Sequence, residues 1–74
     1  MEQYKNYNGN SNIKAFFIGS DYVDVQFKSG LIYRYSYRSA GSMKVEQMKN
    51  LAIQGKGLNS YIMRNAKKDY ERKT

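Results

Sequence analysis

The side chains with chemistry to offer are cations, amides and phenols. Lys28, Arg34 and Arg38 lie in and beside the segment Gly30–Ser39, GLIYRYSYRS. Lys56 and Asn59 bracket a glycine turn, and Arg64, Lys67, Lys68 and Arg72 fall in the C-terminal quarter. Ammonium and guanidinium groups hold phosphate oxygens, and tyrosine rings stack on unpaired bases, so this set suits a single-stranded nucleic acid. Thirteen Lys and Arg against six Asp and Glu leave a formal charge of +7 on 74 residues. That excess attracts polyanions such as RNA, DNA, acidic lipid or an acidic protein face, although it also serves solubility alone.

Catalytic chemistry finds little support. The chain has no cysteine and no histidine, which removes the common nucleophiles and zinc ligand sets. Asp21 and Asp24 are closely spaced but stand near a turn, where carboxylates cap or solvate the backbone. The Gly55–Gly57 sequence GKG opens a helix, and backbone N–H groups there can face an anion. It lacks the spacing of a phosphate-binding loop and reads better as a helix stop and tight turn. The expectation is a non-enzyme with no metal and no cofactor. The absence of cysteine fits a reducing, cytoplasmic setting, and no apolar run is long enough to span a membrane.

These side chains must be placed by a small number of elements. Asn12–Gly19 reads as a first strand, with its phase open between Ile13, Ala15 and Phe17 on one hand and Phe16 and Ile18 on the other. Tyr22–Phe27 alternates apolar and polar residues with the period of a half-buried strand. Lys28–Gly30 closes a hairpin onto a third strand, Leu31–Tyr37. Ser42 is placed to cap a helix through Gln54, with Val45, Met48, Leu51 and Ala52 as its apolar stripe and left-handed Gly55 as its stop. A second helix, Leu58–Lys73, carries Leu58, Tyr61, Ile62 and Ala66 on one side. Residues 1–11 read as a flexible or loosely docked tail. The order of strands then helices argues an α+β fold: a three-stranded antiparallel meander followed by two helices packed on one face.

The covered face takes Val23, Val25, Phe27, Leu31, Tyr33, Tyr35 and Tyr37, with the rings buried and the hydroxyls at the rim. Arg34 and Arg38 then look out from the open face, beside Tyr22, Gln26 and Ile32. Three readings follow: a nucleic-acid binder, a protein-interaction module (an acidic partner or a second copy meeting the open face), and a small oligomer sequestering an anionic metabolite at the glycine turn. Cations in one stripe favour the first, cations scattered around an apolar face the second, and a pocket rimmed by Lys56 and Asn59 the third.

The ordered set Ser11–Ile13, Val25 with Phe27 and Gly30, Tyr33 with Tyr35, and Ala52 with Gly57, Asn59 and Ile62 resembles the KTSC domain. This short bacterial domain occurs alone and at the C-terminus of some lysyl-tRNA synthetases. The resemblance covers about residues 11 to 63 and implies a single KTSC-like domain over residues 12–74, with an RNA-binding role and no catalytic residue. The chain departs from the family in having SYRSAGSM where a Val-Pro turn is usual, and Leu58 where an aromatic commonly follows the late glycine.

Overall fold

Alternation decides the centre of the sheet. The computed structural model describes residues 1–9 and 11–74. In it, Val23 and Val25 are sealed from solvent, while Asp24 and Gln26 point to the other face. Both valines belong to β3 (Tyr22–Phe27), which lies between β2 (Ile13–Ile18) and β4 (Ile32–Ser36). Both neighbours run antiparallel to it, as connections of three to four residues require. Two strands of two residues, β1 (Glu2–Gln3) and β5 (Arg72–Lys73), extend the sheet to the order β1-β2-β3-β4-β5. Three helices follow β4 in the chain: α1 (Tyr37–Ala40), α2 (Ser42–Gln54) and α3 (Leu58–Asn65). α2 packs on β3 and β4, and α3 packs on α2. The class is α+β, but the sheet has five strands where three were expected. Among the described residues, no helix is long and apolar enough to cross a membrane.

The extra strands correct the reading of both chain ends. Residues 1–11 do not read as a tail in the structure, although Asn10 lies outside the described residues. β1 pairs with β2, and the Tyr4 amide bonds to the Lys14 carbonyl at 3.0 Å. Tyr4 is buried in the core, and its hydroxyl accepts a hydrogen bond from the Leu58 amide. The chain then crosses the α2–α3 corner, where the Tyr7 amide donates to the Gly55 carbonyl at 2.8 Å. Gly55 is left-handed, at φ 77° and ψ 21°, as expected for the stop of α2. It has a second reason to be glycine: a Cβ there would lie 2.8 Å from the Lys5 Cβ and 3.1 Å from the Tyr7 ring.

At the other end, the second helix stops at Asn65 instead of continuing to Lys73. The Glu71 amide bonds to the Arg34 carbonyl, and Thr74 and Ile32 exchange amide–carbonyl bonds of 2.8 and 2.9 Å. An uncovered β4 would expose these groups as an open sheet edge, so long-range pairing wins over helix continuation.

Within the sheet, a bulge between Ile13 and Ala15 resolves the phase of β2. Ile13 pairs with Phe27, and Phe16 and Ile18 pair with Val25 and Val23. All three share the covered face, while Phe17 turns out and is 49% exposed. The third strand ends sooner than expected. Ser36 and Ser39 form a reciprocal capping box that starts α1, so Tyr37 and Arg38 are helical rather than extended. Ser42 is the first residue of α2 and not its cap; Gly41, at φ 89°, occupies that position without a side-chain bond. Leu31 is 41% exposed, because it sits in the hairpin connection beyond the reach of the helices.

The core is built from Tyr35, Phe16, Ile13, Met48, Leu58 and Ile62, with Val23, Val25 and Val45 among them. Phe27, Tyr33, Leu51 and Tyr61 pack against it but remain half-buried. For Phe27 and Tyr33 the cause is local. The helices cover the middle of the sheet and leave its hairpin end open.

Candidate functional site

That open end is a groove of about 720 Å³, in the size range of ligand sites. Phe27, Tyr33, Tyr35 and Tyr70 supply its aromatic lining, and Met63 of α3 adds an apolar wall. β3 and β4 position Phe27 and Tyr33 by register. Tyr33 lies opposite Val25 on the covered face, and its ring meets Phe27 edge-on at 5.1 Å. Tyr70 arrives on the segment between α3 and β5 and meets Tyr33 edge-on from 4.9 Å. Tyr35 stacks behind Tyr33, with planes 14° apart and centroids 6.4 Å apart.

Polar groups ring this floor. Lys28, Lys67, Lys68, Asn12 and Asn59 line the groove. Lys73 pairs opposite Tyr33 in β5, and its ammonium lies 5.8 Å from the Tyr33 ring and 5.7 Å from that of Tyr70. The carboxylates of Asp24, Glu46 and Asp69 are taken by Arg34, Lys49 and Lys44. Among the described residues, Lys28, Lys67 and Lys68 form no ion pair with a carboxylate, and all three are exposed.

Tyr35 is the deepest lining residue. Burial, reinforced by the nearby Tyr33, Tyr70 and Asp69, pushes its phenol well above the ordinary tyrosine value. Among the described residues its hydroxyl forms no hydrogen bond, yet no fully enclosed side-chain polar atom lacks a partner. The hydroxyl is therefore not fully enclosed, and Tyr35 is among the residues lining the groove.

The remaining nominated cations sit elsewhere. Arg34 occupies the open face, where Nε and Nη2 donate to the two oxygens of Asp24 at 2.8 and 3.0 Å. Its guanidinium also lies 3.9 Å from the Tyr22 ring centroid. The Asp24 carboxylate raises the Arg34 pKa further and holds it charged. Arg72 lies opposite Arg34 on that same face. Arg38 is on α1 and is not the second cation of a strand, so the expected Arg34–Arg38 row is not formed. Arg64 is exposed on α3, outside the groove lining.

Lys56 and Asn59 do rim a pocket, with Tyr4, Asn6 and Ser60. At about 230 Å³ it falls below the usual range for ligand sites, and Asn59 is shared with the larger groove.

Tyr70, Lys73 and Asn12 had no signal as site residues in the sequence. Tyr70 stands four residues after Ala66 and extends the helical period, so it reads as helix. Only the pairing of β5 with β4 brings it to Tyr33. No protein-family model, no curated protein and no solved structure matches this chain.

Proposed function

We propose that this chain is a non-catalytic module that binds single-stranded RNA through the groove at the hairpin end of its sheet. One observation carries the reading: three lysines without carboxylate partners, Lys28, Lys67 and Lys68, surround a groove floored by half-buried aromatic rings. Phosphates on the lysines and bases on the rings is the division of labour that single strands use. The KTSC resemblance agrees with an RNA-related role and adds no residue to it.

The test is affinity for a labelled single-stranded RNA across a salt series, with the mass in solution measured alongside. Three phosphate contacts give a log–log slope of about −2, at roughly −0.7 each. Lys67→Ala with Lys68→Ala should weaken binding to all sequences and flatten the slope to about −0.7. A protein with no salt-sensitive affinity for RNA overturns the reading. A second reading, protein contact through the open face, is favoured by Phe17, which is half exposed there beside Tyr22 at 6.3 Å. It predicts a dimer or a captured acidic partner that Phe17→Ser abolishes.

A further inference from the structure

The groove differs from a basic patch in its interior, and the interior has a specific chemistry. Tyr33 is flanked edge-on by Phe27 and Tyr70, at interplanar angles of 77° and 84°. These rings make a walled recess instead of the flat platform on which consecutive bases lie. Tyr35, only 1% exposed, is one of the lining residues, and among the described residues its hydroxyl has no hydrogen-bond partner. A phenol whose pKa is raised by burial stays neutral, so it can both donate and accept. The amides of Asn12 and Asn59 stand at the same lining. Neutral donors and acceptors at the edge of a ring-walled recess suit the edge of a nucleobase. The lysines outside suit the phosphate it carries.

We infer that the groove seats one unpaired nucleobase, with its polar edge toward the Tyr35 hydroxyl and the asparagine amides and its phosphate toward Lys67 and Lys68. This deepens the RNA-binding reading and rests on it. The site selects unpaired over paired nucleotides, because a base in a duplex cannot enter a recess.

The experiment uses the unaltered protein and three labelled probes of equal length: a single-stranded RNA, an abasic sugar-phosphate strand, and an RNA duplex. Free nucleoside monophosphate is the competitor. The single strand should bind about ten- to a hundredfold more tightly than the abasic strand, the range expected for one stacked base. The salt slopes of those two strands should be equal, since their phosphates are the same. The monophosphate should compete weakly, and the duplex should bind no better than the abasic strand. Tyr70→Leu and Asn59→Ala should each remove part of the base-dependent gap without changing abasic binding. Asn59→Ala leaves the aromatic packing intact and so separates recognition from folding.

Equal affinity for the strand with bases and the strand without overturns the base seat and leaves backbone binding standing. No affinity for any of the probes overturns both. A monophosphate that binds as tightly as the strand supports the base seat and identifies a free nucleotide as its occupant, which overturns the strand reading.

Discussion

The two faces of the β3–β4 hairpin share one register and put it to different uses. On the covered face Val23 pairs with Tyr35 and Val25 with Tyr33; on the open face Asp24 pairs with Arg34. The covered row is apolar and continuous with the helices, and toward the hairpin it runs out from under them. There Tyr33 passes from core to groove lining within two residues of fully buried Tyr35. In the open row the two charged side chains of the hairpin, Asp24 and Arg34, satisfy each other. Arg34 has its charge answered by Asp24 and its plane by Tyr22, and it offers little to an incoming phosphate. Lys28, Lys67 and Lys68, which hold no position within a strand, are the groove's cations without a carboxylate partner among the described residues. The availability of a charged group is thus set by what stands opposite it, and the role of a ring by whether a helix reaches it.

Breaking the covered row should have the largest effect. Tyr35→Ala removes the largest fully buried side chain and should destabilise by about 3–5 kcal/mol, read from the denaturant midpoint at constant slope. A parent-like midpoint would mean that the row is not the core.

Breaking the open row should cost less. Asp24→Ala removes a two-pronged ion pair from a partly exposed face and should destabilise by about 1 kcal/mol. It also frees Arg34. If RNA affinity then rises as much as Lys67→Ala lowers it, the two faces are equivalent in binding and the contrast between them fails.

The smallest effect at neutral pH, and the sharpest in pH dependence, belongs to Tyr35→Phe. The Tyr35 phenol titrates higher in the folded chain than in the unfolded one, so its ionisation favours unfolding. The stability it protects is complete below the ordinary phenol value of 10.0 and is lost as pH rises beyond it. Melting followed from pH 8 upward should show a shallower alkaline decline in Tyr35→Phe than in the parent.

Much of this was legible in residue order. The alternation of Tyr22–Phe27, the turn at Lys28–Gly30, the stripe Val45, Met48, Leu51 and Ala52, and the stop at Gly55 define β3, its hairpin and α2, because each obeys a local period or a local backbone requirement. Arg34 reads in the sequence as an outward cation, and only the register of the hairpin shows Asp24 opposite it. α1 was not legible in this way: Leu31–Tyr37 reads as one strand, and only the structure shows the Ser36–Ser39 cap that ends it.

The rest was decided by tertiary structure, for reasons of length and distance. β1 and β5 are two residues each, too short to carry a period, and they exist because the edges of β2 and β4 have unpaired backbone groups to satisfy. The bulge in β2 follows from fitting Ile13 and Phe16 to one face, which neither parity of the sequence does alone. Tyr70, equally at home in a longer helix, becomes a wall of the groove only when the chain leaves α3 at Asn65 and turns back to β4. Local spacing therefore fixed β3, its hairpin and α2. Backbone groups distant in sequence but needing partners fixed where the chain ends go, and with them the groove.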